Sequence, residues 1–239
     1  MAAPQQRSLF RDEYFWHGVR RGVGVPLIVL SASFLGFGAL IRESNLELIH
    51  GILSTVTGWA LPGQVALVEL YAVGAPLAVI ALAVGLTNAR LLPMTVTLMP
   101  YFNEAGTPRW KLYIASHWIA VTGWAEAMRS FPAMPPERRY PFFVGMSLVL
   151  WGSCILASGV GYYIAGLVPF HVSLGLVFLN PIYFMLVFAS DLANRGRAMA
   201  LLLGAIAGPA LYWVTPDWSL LLAGLTAGTL GYLIGRKWR

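Results

Sequence analysis

Residues 59–93 read WALPGQVALVELYAVGAPLAVIALAVGLTNARLLP. The stretch is apolar enough for a bilayer, yet it holds Pro62, Gly63, Gln64 and Glu69, then Asn88, Arg90 and Pro93. A charge at the centre of a membrane helix costs about 2.5–3.5 kcal/mol on insertion scales. A helix broken at that depth leaves backbone N–H and C=O groups unpaired unless they pack on protein or line a cavity. Two neighbouring segments carrying both features point to a polar site built inside a membrane protein.

The rest of the chain agrees with that class. Its 239 residues are 58% hydrophobic and 11% charged, with mean hydropathy +0.68, whereas soluble domains average roughly 25% charged residues. The expected fold is an all-α polytopic membrane protein, one transmembrane domain over 1–239 with the lipid bilayer as its solvent. The net charge of +6 suits loops that set topology, and no clustered basic and aromatic surface of the nucleic-acid kind is present. Cys154 is the single cysteine, so no intrachain disulfide can form. His17, His50, His117 and His171 are dispersed, so the sequence offers no metal site and implies no cofactor.

Taken in order, the polar, aromatic-rich segment 1–18 precedes a first span at 20–41. Span two covers 47–72 and is broken near its centre by Pro62 and Gly63, since proline removes a helical hydrogen bond. Span three covers 75–101 and is broken at Asn88, Arg90 and Pro93. Spans four to eight fall at 112–129, 141–166, 172–190, 198–214 and 218–235, and Asn180 with Pro181 interrupts the sixth at its centre. Eight spans place both termini and the basic segment 129–139 on the cytoplasmic side by the positive-inside rule. That layout puts 73–75 inside and 103–111 outside, leaving Arg109 and Lys111 as exceptions. It is compatible with an inverted repeat. Gly204 with Gly208, Gly224 with Gly228 and Gly231 with Gly235 let helices approach closely, within the chain or against a second subunit.

Discontinuous helices near the midplane are the best sequence pointer to a transporter site. N–H groups after a break carry partial positive charge, so Pro62, Gly63 and Gln64 open one anion cradle and the element after Asn88 another. Arg90 can grip a carboxylate in two-pronged fashion. Glu69 can neutralise Arg90, bind an ammonium or take a proton, and Asn180 is the candidate in span six. These groups match a zwitterion with an apolar side chain. Each also has a plainer structural role: Glu69 reaching water at a span end, Arg90 snorkelling, Gln64 and Asn88 satisfying freed backbone, Asn180 marking a kink. No clustered nucleophile and base is present, so no catalytic residue and no enzyme is expected. The alternatives are a non-catalytic membrane partner or scaffold subunit and, behind it, an integral membrane enzyme.

Three segments carry a family resemblance. GVGVPLIVLSASFLGFGAL (22–40), WALPGQVALVEL (59–70) and LTNARLLPMTVTLMP (86–100) resemble the AzlC family, the large subunit of a two-component branched-chain amino-acid exporter, and GLVFLNPIYF (175–184) is a weaker match. Gly63, Gln64, Asn88, Arg90 and Pro100 fall on the family pattern. Leu91 stands where the family usually has His, Val177 where Asp is common, and Thr122 and Gly123 where an acidic pair is often found. The resemblance therefore carries no proton relay onto these positions. It implies export of Leu, Ile, Val or similar amino acids through a bacterial inner membrane, with a small AzlD-type partner of about four spans.

Overall fold

The computed structural model describes residues 9–167, 169, 171–172, 174–178, 182, 185, 195–215 and 219–237. Among them all regular structure is helical. The Asp12 carboxylate accepts the Tyr14 N–H at 2.9 Å and starts α1 (Glu13–Gly22), as an N-cap residue does. Gly24, at φ 155°, turns the chain into α2 (Val25–Glu43). Then follow α3 (Leu48–Gly58), α4 (Leu61–Ala72), α5 (Leu77–Asn88), α6 (Leu91–Asn103), α7 (Arg109–His117), α8 (Val121–Ser130), α9 (Pro136–Ile164), α10 (Arg195–Val214) and α11 (Ser219–Lys237). Asn180 and Pro181 lie outside the described residues.

A spine of α1 and α2 against α9 organises the bundle. Its helices touch through glycine. A Cβ on Gly18 would run into the Phe142 carbonyl oxygen, and one on Gly145 into that of Phe15. Farther along, Gly38 meets the Ser158 oxygen and Gly161 the Leu35 oxygen in the same way. Such small-residue crossings replace the hydrophobic drive that lipid cannot supply. Arg138 binds Asp12 at 3.0 Å at one end, and Arg42 donates to the Tyr162 carbonyl at 3.2 Å at the other. Contacts rise together along both partners, so α2 and α9 run parallel. As a pair they are not related by inversion.

Among the described residues two helices, α2 and α9, are long and apolar enough to cross a membrane, and α5 with α6 makes a third, bent by 48°. The expected spans two and four do not join them. The first half of span four, α7, begins beside the start of α9, where Lys111 Nζ lies 5.5 Å from the Tyr140 ring. It climbs until Trp118 packs on Trp151, centroids 6.1 Å apart. The chain then turns at 118–120, and α8 descends past Ser147 to bring Phe131 against Phe142. Helices of 9 and 10 residues reach only about 15 Å each at 1.5 Å per residue, half of a ~30 Å hydrocarbon core. This is a re-entrant hairpin.

The α3–α4 pair folds back in the opposite sense. Gly51 packs on Ile41 at the far end of α2, and the Thr55 carbonyl accepts from Trp151 Nε1 at 3.3 Å midway along α9. The turn falls at 59–60, and Gln64 Nε2 reaches back to Ser54 Oγ and Thr55 Oγ1, both at 3.0 Å. A side chain four residues beyond a corner meets residues four or five before it only if the helices form a V. Then α5 and α6 run from the far end to the near one, where Arg139 binds Glu104 and the Tyr101 carbonyl.

This path corrects the expected sidedness. Segment 103–111 lies at the same end as 129–139, and 73–75 lies at the opposite end. Arg20, Arg21, Arg109, Lys111, Arg129, Arg138 and Arg139 share one basic end, and Arg109 and Lys111 cease to be exceptions. Among the described residues spans two and four return to the end they left, so these two are not full crossings. The path of α2 into the α3–α4 hairpin runs opposite to that of α5–α6 into the α7–α8 hairpin. Beyond α9, α10 and α11 pair with each other. A Cβ on Gly231 would press on Ala200, and Gly204 faces Ala227, so these small residues serve packing within the chain.

Candidate functional site

The two hairpin tips meet at the middle of α9. The turn after α3 sits on one side of Trp151 and that after α7 on the other, and His117 Nε2 lies 2.9 Å from the Val56 carbonyl oxygen. Each tip presents one helix C-terminus and one N-terminus, hence carbonyls beside N–H groups. Neither N-terminus has a side-chain cap. Pro62 does not cause the first break. It occupies the second position of α4, where its missing N–H costs nothing. The half-helix therefore starts at Leu61, ahead of Gly63 and Gln64.

Gly63 and Asn88 come together. A Cβ on Gly63 would lie 2.5 Å from Asn88 Oδ1 and 2.8 Å from its Nδ2, so the α4 tip packs directly on the Asn88 amide, which any side chain at 63 would have to displace. Arg90 follows at that bend, half-buried, with no ion pair or hydrogen bond among the described residues. Glu69 does not join it. Two turns along α4 it is exposed, and it forms no ion pair with Arg90. Expected neutralisation of Arg90 by Glu69 is thus absent, because α4 carries Glu69 away from the bend towards the far end. Glu126 pairs instead with Arg21 at 2.6 Å and accepts from Ser130 Oγ at 3.1 Å.

Buried side-chain polar atoms without a partner cost about 1–3 kcal/mol each, and their positions here are informative. Among the described residues they are Gln64 Oε1, Asn88 Oδ1, Arg90 Nε, Trp118 Nε1, Thr122 Oγ1 and Ser147 Oγ. All lie at the three interruptions or on the α9 face opposite them. The first three are among the residues singled out from sequence. Trp118, Thr122 and Ser147 are not, because span four carries no proline and reads as continuous. A signal was present: Ala60-Leu61-Pro62-Gly63 at one tip is echoed by Ala120-Val121-Thr122-Gly123 at the other. In both, alanine is the N-cap residue and glycine the third helical residue.

A cavity of about 50 Å³ lies beside Thr122, between Val121, Met146 and Leu150 and the charged trio Arg21, Glu126 and Arg129. A larger one of about 1020 Å³ separates α8 from α10 and α11, lined by Trp124, Met128, Gly204, Tyr212 and Ala223 among others. Ala125 and Arg129 border both. Among the described residues no three His, Cys, Asp or Glu side chains gather as a metal centre requires.

No curated protein matches the chain. No solved structure matches it either. The family model described as AzlC protein matches residues 26–168, the segment that runs from α2 through both hairpins to the end of α9. With more than half its length matched, and with the expected Gly63, Asn88 and Arg90 gathered at one break, the chain belongs to the AzlC family.

Proposed function

We propose that this protein exports branched-chain or similar small amino acids across a bacterial inner membrane, together with a small AzlD-type subunit. Arg90, Gln64, Asn88 and the open tip of α4 receive the zwitterion. The observation that carries this is the Arg90 guanidinium, held half-buried at a helix bend with no carboxylate beside it. A charge in that setting is costly unless a counter-charge arrives, and a substrate carboxylate supplies one. Gln64 has its amide nitrogen committed to Ser54 and Thr55 and its oxygen free, so it offers an acceptor for the substrate ammonium. Membership of the AzlC family, which is associated with branched-chain amino-acid transport, supports the substrate class and the partner.

The basic end is the cytoplasmic one, on the positive-inside rule. Hairpins entering from opposite ends suit alternating access, each tip guarding the path from its own side. The test uses proteoliposomes holding the chain with its small subunit, loaded with labelled Leu, Ile or Val. Efflux above that of empty vesicles is expected, and Arg90→Ala is expected to lower it about tenfold or more, the value of a charge-assisted hydrogen bond. No efflux of any amino acid would sink the proposal. Efflux unaffected by Arg90→Ala would move the substrate away from Arg90.

A further inference from the structure

We infer that the tip of the α7–α8 hairpin is a second carboxylate subsite, built from Trp118, Thr122, Ser147 and the first turn of α8. It rests on the amino-acid transport proposal and adds a station on the basic-end side of Arg90.

The first turn of α8 leaves the N–H groups of Val121, Thr122 and Gly123 uncapped, a partial positive charge aimed at the meeting point of the hairpins. Three side chains on or beside that turn carry buried donors without partners. Thr122 is 7% exposed and Ser147 fully buried, and neither hydroxyl has a partner. Ser147 Oγ stands 3.8 Å from where a Cβ on Gly123 would be, so it faces that first turn across the helix gap. Trp118 Nε1, which can only donate, is also buried without an acceptor.

The Ser147 hydroxyl is unusual for this chain. Most other serine and threonine hydroxyls in the described helices bond back to a carbonyl three or four residues earlier. Ser33 uses Val29, Ser158 uses Cys154, Thr87 uses Ala83 and Thr95 uses Leu91. Ser147 makes no such bond. A serine that forgoes its own helix while fully buried is kept for an acceptor from outside, and the neighbouring donors need the same acceptor.

The α4 tip cannot serve identically, because the Asn88 amide sits against Gly63. The α8 tip is unobstructed: the nearest atoms to Gly123 are at ordinary van der Waals range, 3.7 Å or more. The adjoining cavity of about 50 Å³, lined by Thr122 and next to Ser147 along α9 at Met146, has room for only a few waters, the bulk of a carboxylate and not of a leucine. An apolar side chain has the large cavity across Ala125 and Arg129. Carboxylate oxygens accept from the hydroxyls, the indole and the α8 N–H groups, while Arg21, Glu126 and Arg129 border the small cavity towards the basic end, with Glu126 held by Arg21.

The test is equilibrium binding to the purified complex of the full-length chain with its small subunit in nanodiscs, with three probes: leucine, 4-methylpentanoate (the carboxylate without the amine) and 3-methylbutylamine (the amine without the carboxylate). Thr122→Val with Ser147→Ala is expected to weaken leucine and 4-methylpentanoate by about tenfold or more and to leave the amine's affinity unchanged. Trp118→Phe, which keeps the ring and removes only the donor, is expected to act in the same direction, so the outcome does not hang on the double variant folding. Thr122→Ser, which retains the hydroxyl, restores binding. Wild-type affinity for 4-methylpentanoate in the double variant and in Trp118→Phe would overturn the subsite while leaving the transport proposal standing. Hydroxyl-dependent binding of 4-methylpentanoate without any binding of leucine would keep the subsite and overturn the amino-acid proposal. Binding of none of the probes by the wild-type complex would overturn both.

Discussion

The α1–α2–α9 spine and the hairpin tips both use glycine at close helix contacts, but they treat polar groups in opposite ways. In the spine, Gly18, Gly38, Gly145 and Gly161 bring backbones together until no Cβ fits, and the buried hydroxyls of Ser33 and Ser158 are satisfied within their own helices. At the tips, the glycines at 63 and 123 open helix N-termini, and six polar atoms on or facing the breaks lack partners. Where its helices cross at glycine, the spine has settled its interactions before any ligand arrives. The tips leave their donors and acceptors for something to complete. A rigid frame beside an uncompleted site is what precise placement of a substrate needs.

The comparison breaks first if the spine tolerates bulk. Gly161→Leu is expected to cost more than about 3 kcal/mol, beyond ordinary overpacking, because the added atoms meet the Leu35 backbone rather than a movable side chain. Loss of the monodisperse peak on size-exclusion chromatography would register it. Gly159→Ala, in the same helix with nothing within 4 Å, is the matched change expected to leave the peak intact.

At the tips the expected effect moves from folding to transport. Arg90→Ala should abolish most efflux and leave the melting temperature unchanged or raised, since it removes a poorly paired charge from depth. A fall in melting temperature with normal efflux would instead make Arg90 a frame residue. Gln64→Ala sits between the regions. It loses two hydrogen bonds to Ser54 and Thr55 along with its free oxygen, so it should lower both stability, by about 1–2 kcal/mol, and efflux. Smallest of all, Glu69→Gln should leave both within about twofold, as an exposed group with no partner contributes little. A large loss of efflux there would return Glu69 to the site.

Much of this architecture is legible in the residues. Pro62 with Gly63 and Asn88 with Arg90 mark two interruptions, because proline, glycine and a charge are conspicuous in an apolar run, and the structure brings Gly63 and Asn88 into contact. The course of the chain through those interruptions is not legible. A break states that a helix stops and not whether the next one continues or returns, and counting each broken segment as a crossing reversed 73–75 and 103–111. Arg109 and Lys111, basic residues stranded on the wrong side of that count, were its clearest strain. The break at 118–120 is quieter. Ala120 and Val121 are ordinary in a membrane helix, so only the echo of Ala60-Leu61-Pro62-Gly63 betrays it. Ser147 is invisible from sequence, since its meaning depends on facing a tip contributed by residues more than twenty positions away.

The two hairpins enter from opposite ends and return, so that their tips meet at the middle of α9. Single cysteines introduced into a Cys154→Ser background at Ala75, Thr107 and Ala133 test that path directly, labelled by a membrane-impermeant maleimide in sealed right-side-out and inverted vesicles. Thr107→Cys and Ala133→Cys should be labelled from the same side, and Ala75→Cys from the other. Labelling of Ala75→Cys together with Ala133→Cys, with Thr107→Cys alone on the opposite face, would mean that both segments cross the membrane and would contradict the account.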